Sequence, residues 1–228
     1  MRALSAPAPR PSEVAPPKPW RIAVFGSTGG NGRLILAEAL RRGHRVTAFA
    51  RQASALAGVA GIASVVIGDA ANPEPVSSAI AGQEAVIMTV TASAAITRTV
   101  TDAMRSLAVA RLVATSAYGL VATRPYVLAS IIRRVLAKTY AEQLAADRII
   151  QATGLDWTIV RATRLTNGRS IQSSRLSTAL FTSGPFSITR ASYARALLDI
   201  AEADRYVKQI VNITGSGRYH PAKQTSLS

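Results

Sequence analysis

Cysteine is absent from the 228-residue chain. That excludes a disulfide framework, thiol catalysis and thiolate-bound metal. It fits a reducing compartment, so a cytoplasmic location is expected. Histidine is nearly absent as well. His44 falls in a turn and His220 near the C-terminus, so neither is placed for a Ser-His-Asp triad. No cluster of His, Asp and Glu shows metal-ligand spacing, and no metal is expected. No apolar run reaches the roughly 18–20 residues that a membrane span needs. The N-terminus also lacks the continuous apolar segment of a secretory signal, so no membrane association is expected. Aromatic residues make up 5% of the chain. A core must therefore come from Ala, Val, Ile and Leu, which suits helices packed on both faces of a parallel sheet.

Acidic residues are scarce, 12 against 27 basic, for a net charge of +15. The two ends account for little of this. Such a field favours anions, whether nucleotide phosphates, nucleic acid or acidic partners; a genomic bias toward arginine would produce the same excess. No block of five or six like charges occurs, so a nucleic-acid arm is not indicated and no nucleic-acid partner is expected.

The length suits one α/β domain with modest tails. Six of the eleven prolines lie in the first 20 residues. Proline removes amide donors and blocks regular structure, so residues 1–19 read as a disordered leader, with a transit peptide as the alternative. Residues 20–215 read as the folded domain and 216–228 as a flexible tail. Within the domain, strand and helix patterns alternate. Strands are expected at Arg21–Phe25, His44–Ala50, Ser64–Gly68, Glu84–Val90, Arg111–Ser116, Trp157–Arg161 and Lys208–Ile213. Helices are expected over 31–43, 96–109, 140–153 and 191–203. The alternation predicts a doubly wound parallel sheet of the Rossmann type. Residues 122–138 read as an amphipathic helix or as a lid over a pocket. Residues 163–188 read as an irregular connection, with Asn167-Gly168 and Gly184-Pro185 as turn signals.

Between the first strand and the first helix stands Gly26-Ser27-Thr28-Gly29-Gly30-Asn31-Gly32-Arg33. Glycines at 26, 29 and 32, after a strand and opening a helix, match the dinucleotide fingerprint. The first permits the tight turn, the second lets a pyrophosphate approach the backbone, and the third lets helix and strand pack closely. The helix N-terminus then offers unpaired amides and a positive dipole end. Where an NAD site usually carries an acid, this chain has none between Glu38 and Asp69. Arg51, at the end of the second strand, presents planar donors suited to a ribose 2′-phosphate, with Arg33 assisting. NADP(H) is therefore expected over NAD(H). Asp69 and Ala70 end the third strand beside the adenine position; Asp69 either accepts from the adenine amine or caps the next helix. Val90 and Thr91 close the fourth strand and Ser116 the fifth, all on the carboxyl edge where such sheets bind ligands.

Taken together, the glycine loop, Arg51, Gly68-Asp69, Ala114-Thr115-Ser116-Ala117-Tyr118 and Thr153-Gly154-Leu155-Asp156-Trp157-Thr158-Ile159-Val160-Arg161 resemble the atypical short-chain dehydrogenase/reductases. The resemblance is to the NAD(P)H-binding group that contains NmrA-like proteins and biliverdin reductase B (flavin reductase). It implies a reductase in which Ser116, with Tyr118, lies near the reacting ring; packing is the other reading of Tyr118, and the favoured one. It also exposes departures. The superfamily's Tyr-x-x-x-Lys pair would fall near Thr139 and Gln143; Tyr140 is adjacent, but no lysine serves either register. Arg164 takes the place of the group's histidine after the sixth strand, and Ala162 that of a common proline. Without the usual acid–base pair, hydride transfer to a conjugated acceptor is the leading expectation: a flavin, a quinone or a similar small-molecule electron acceptor. A non-catalytic NADP(H) sensor or assembly factor, with a protein partner or as a homo-oligomer, is the alternative. A nucleotide-sugar epimerase is a third reading.

Overall fold

The computed structural model describes residues 18–90, 93–121, 134, 137–168, 173–181, 183–203 and 205–216. Strands β1 (Arg21–Phe25), β2 (Arg45–Ala50), β3 (Ser64–Ile67), β4 (Ala85–Met88), β5 (Arg111–Ala117), β6 (Asp156–Ala162), β7 (Arg164–Thr166), β8 (Ser174–Ser177), β9 (Ser187–Thr189) and β10 (Gln209–Gly215) alternate with helices. These helices are α1 (Gly30–Arg41), α2 (Pro73–Ile80), α3 (Ala94–Ser106), α4 (Ala137–Gln151) and α5 (Arg190–Glu202).

Eight strands form one sheet in the order β3-β2-β1-β4-β5-β6-β10-β8. The chain runs outward from β1 in one direction and then returns to start again at β4. The order therefore reverses between β1 and β4, which is where doubly wound sheets bind ligands. The register pairs Val24 with Ala48 on one side and with Ile87 on the other. Strand β4, Ala-Val-Ile-Met, is wholly buried, as a central parallel strand covered on both faces must be.

Alternation along the strands sends side chains into two cores. Val24, Val46, Ile87 and Val113 pack with Ile35 and Leu36 of α1 and Leu197 and Leu198 of α5. Phe25, Val86, Met88 and Leu112 pack with Ile80 of α2, Met104 of α3 and Ile150 of α4. Arg111 is buried in this framework. Its guanidinium donates to the carbonyls of Ile200 and Ala201, at the C-terminal end of α5, and to Asp156 O and Thr158 Oγ1. A cation at a helix C-terminus is favourably placed against the helix dipole.

Several expectations need correction. The sheet is not wholly parallel: β8 runs antiparallel to β10 at the edge. Residues 163–188 are not simply irregular, because β7, β8 and β9 lie within them, and β7 pairs with β9 as a separate ribbon. Helix α2 had no counterpart in the sequence reading, since prolines at 73 and 75 mask an eight-residue helix that they in fact start. His44 directly follows the turn that ends α1. It is buried, with Nε2 2.8 Å from Glu202 Oε1 and Nδ1 accepting from the Trp20 amide. Lys18 pairs with Glu84 at 3.1 Å. Residues 1–17 and 217–228, and most of the segment 122–138, lie outside the described residues. Among the described residues no helix is long and apolar enough to cross a membrane.

Candidate functional site

The carboxyl ends of β1, β2, β4, β5 and β6 share one edge of the sheet, and the glycine loop rises at its centre. Gly26 has φ +79°, and an added Cβ would sit 2.2 Å from Thr89 Oγ1. A Cβ at Gly32 would lie 2.0 Å from Gly26 O, so helix and strand approach too closely for any side chain there. Gly29 is different. Its φ of −71° and ψ of 167° suit any residue, and an added Cβ would meet nothing nearer than Gly26 O at 3.5 Å. Nothing inside the fold demands glycine at position 29, whereas a ligand lying against the backbone would.

Helix α1 begins here without a side-chain cap. Ser93 caps α3 and Thr189 caps α5 through their hydroxyls. The first-turn amides of α1 thus stay available to an anion, and the helix dipole reinforces them. Asn31 adds a buried Oδ1 that lacks a hydrogen-bond partner among the described residues. A half-turn of that amide exchanges the oxygen for N–H donors. These features fit a dinucleotide diphosphate.

At the ribose end, Arg51 follows β2 directly and is exposed. Arg33 reaches from α1 toward the same end, donating to Thr28 O at 3.3 Å and Ala55 O at 2.6 Å. No ion pair among the described residues involves Arg33 or Arg51. Asp69 Oδ1 accepts from the Ala71 amide at 2.9 Å, within the turn that precedes α2. Ala70 packs its methyl into the core, so only its backbone faces the edge. Val90 is half-buried behind Gly26. Thr91 lies outside the described residues. The Ser27 hydroxyl is fully buried and donates to Phe49 O at 2.6 Å. It holds β1 to β2, so any part it takes in binding must come from its backbone.

At the other end of the edge, Ser116 is buried with Oγ 3.0 Å from Asp147 Oδ2. Arg161 Nη2 donates to the same oxygen at 3.0 Å, and Gln143 Nε2 donates to Oδ1 at 3.3 Å. Asp147 and its two partners beyond Ser116 were not singled out as a group by the sequence reading. The available signal was helical: Gln143 and Asp147 stand four residues apart on α4, on the face that meets β5 and β6. Where the superfamily's lysine would stand, Gln143 is locked into this network. Tyr118 is buried and packs against Phe181. Its hydroxyl accepts from the Phe181 amide at 2.8 Å and donates to the Phe181 carbonyl at 3.3 Å, with the two rings 5.5 Å apart. The phenol is thereby committed to holding a backbone segment. Arg164 is exposed at the start of β7.

Beside the glycine loop lies a cleft of about 800 Å³, lined by residues of α1, Asn167, Gly168, and Arg190 and Ala191 of α5. Arg190 had no place in the sequence reading. Asn167-Gly168, read there as a turn signal, also shapes this wall.

A fold of this order, with an uncapped glycine-rich crest at the switch point, defines a dinucleotide-binding Rossmann protein. The family model for NAD(P)H-binding proteins matches residues 26–204, and the chain belongs to that family. Its fold is shared with solved structures of low sequence identity. A wide-type short-chain dehydrogenase/reductase from Veillonella parvula, in complex with NADP, is 18% identical, with a TM-score of 0.78 over 88% of this chain and 97% of that one. ChuY, an anaerobilin reductase from Escherichia coli O157:H7, is 22% identical, with a TM-score of 0.75 over 89% and 100%. A Rossmann-fold NAD(P)-binding family protein from Shigella flexneri is 20% identical, with a TM-score of 0.71 over 89% and 97%.

Proposed function

We propose that this protein is an oxidoreductase that prefers NADPH and reduces a conjugated small molecule, a flavin or quinone being the chemistry that fits best. The observation that carries the cofactor preference is Arg51, exposed directly after β2, with no acid between Glu38 and Asp69 to hold a ribose 2′-hydroxyl. The first-turn amides of Gly30 and Asn31 would hold the diphosphate against the Gly29 backbone, and Arg51 with Arg33 the 2′-phosphate. Thr28, Gly32, Asp69, Ala70, Val90 and Thr91 would line the path. Ser116 would lie beside the reacting ring.

When bound, NADPH supplies a hydride from its nicotinamide. The accompanying proton must reach the acceptor by another route. Thr139 is exposed and Gln143 carries no ionisable group, so the usual phenol–lysine pair is not available for that task. A flavin or quinone tolerates this, because its reduced form takes protons readily from water. Support by analogy comes from the NADP bound to the Veillonella protein and from the reductase named among the structural neighbours. A cytoplasmic setting belongs to the same proposal.

The test is NADPH oxidation by the purified protein with FMN or a small quinone. Turnover with either, faster than with NADH, is the expected result. Tight cofactor binding without turnover by any conjugated acceptor would favour the second reading, a cofactor sensor with a protein partner or a second copy of itself. Gln143 in place of lysine is the observation behind that alternative.

A further inference from the structure

The glycine loop and the arginines near the ribose account for one side of a bound dinucleotide. The cleft beside them bears on the other side. Its lining contains Gly30, Asn31, Arg33 and Leu34 from α1 and Asn167, Gly168, Arg190 and Ala191 opposite, with no carboxylate among them. At about 800 Å³ it lies in the size range of sites that hold cofactors and small ligands. Its wall is specific. Gly168 packs so closely on Thr189 that an added Cβ would come within 3.0 Å of Thr189 Cγ2, which fixes the turn against the start of α5. Asn167 Oδ1 then accepts from Arg190 Nη1 at 2.6 Å. The guanidinium chain is drawn across to the loop, with Nε 3.6 Å from where a Gly30 Cβ would stand.

No ion pair among the described residues neutralises Arg190. The Asn167 contact occupies one of its five N–H groups, and an amide oxygen carries no charge to offset the cation. Thr189 already caps α5, so Arg190 is not needed to satisfy that helix. What remains is a cation tethered beside Gly30, in the first turn of α1.

We propose that Arg190, positioned by Asn167, is a second clamp on the cofactor's diphosphate, closing on it from the side opposite the α1 amides. This rests on the dinucleotide reading above and adds to it a residue that recognises the part common to NADPH and NADH. Arg51 and Arg190 then have separable duties: one discriminates between the two cofactors, and the other binds both.

The experiment is calorimetric titration of NADPH and NADH into the full-length protein and its variants R190A, R190K, N167A and R51A. For R190A, both affinities are expected to fall by roughly tenfold or more, as for loss of a charge-assisted contact, with their ratio unchanged. R190K should recover part of the loss. N167A keeps the charge but removes its tether, and should weaken both cofactors by a smaller factor. R51A should instead collapse the ratio. A purely structural role is separated by salt. Wild-type affinity should decline with ionic strength, and R190A affinity should decline less steeply, because one cation fewer faces the ligand. Unchanged binding of both cofactors by R190A would overturn the proposal while leaving the dinucleotide reading intact. So would a loss confined to NADPH, which would move Arg190 to the 2′-phosphate. If the wild type binds neither cofactor, the dinucleotide reading and this proposal fall together.

Discussion

Ser116 Oγ donates to Asp147 Oδ2 at 3.0 Å, joining the end of β5 to a carboxylate on α4 that lies 31 residues further along the chain. Asp147 is 1% exposed, and Arg161 shares the same oxygen. A buried carboxylate held by a cation and two neutral donors is sensitive to the loss of any one of them. D147A leaves Arg161 without its counter-charge and is expected to cost about 3–5 kcal/mol, measured by urea unfolding. S116A should cost about 1.5–3 kcal/mol. The double variant should lose less than the sum, because both changes break one shared contact.

Two glycines three residues apart should respond differently to the same substitution. G32A drives a methyl group into Gly26 O and should destabilise the protein by at least about 1–3 kcal/mol. G29A adds a methyl group where the fold has room. Its Tm should stay near wild type while NADPH binding falls sharply. Thermal unfolding without cofactor, followed by titration, checks both, and a large Tm loss in G29A would contradict the assignment of Gly29 to the ligand.

Arg51 is the residue on which cofactor preference is expected to turn. R51A should lose about 1.5–3 kcal/mol of NADPH binding, the value of a charge-assisted phosphate contact. NADH affinity should barely change. Equal losses for both cofactors would remove the case for a 2′-phosphate site.

At the opposite edge of the sheet, Glu38 is gripped by Arg41 through two contacts of 2.7 Å and by Arg42 at 2.9 Å. The Arg41 hydrogen bonds are the largest influence. They and Arg42 overcome the opposing effect of burial and lower the Glu38 pKa to about 2 from an ordinary 4.5. Because the folded-state value is depressed, this stabilisation is fully present above about pH 4.5 and is lost as the pH falls toward 2. The midpoint of thermal unfolding should therefore drop across that window. E38Q should show a shallower drop, with a lower Tm than wild type at pH 7.

Much of the architecture was legible because burial on both faces forces continuous apolar runs. Val86-Ile87-Met88 and Leu112-Val113-Ala114 can hardly be anything but central strands. The glycine loop was legible for a related reason, since only glycine satisfies the geometry at 26 and 32. Helix α2 escaped because its prolines, which usually interrupt helices, occupy the one turn that tolerates them. Strands β7, β8 and β9 escaped because three or four residues with one apolar side chain each are too short to show a period; their pairing is set by neighbours distant in sequence. The Ser116–Asp147–Arg161 group was invisible for the same reason. Each member looks ordinary alone, and only the crossover from β5 through α4 to β6 brings them together. The place of Arg190 was hidden likewise, because it follows from the packing of α5 on α1.

The bond between Tyr118 and the backbone of Phe181 has a consequence for how molecules come and go. Arg175 lies over the Phe181 ring, 4.6 Å from its centroid, and fastens the same stretch from behind. The chain leaving β5 and the chain leading out of β8 are thereby stapled into a single flank. On the proposed reading, with Ser116 beside the acceptor, neither chain can shift there without dragging the other, so Y118F, by cutting the staple, is expected to broaden the range of acceptor sizes that are turned over.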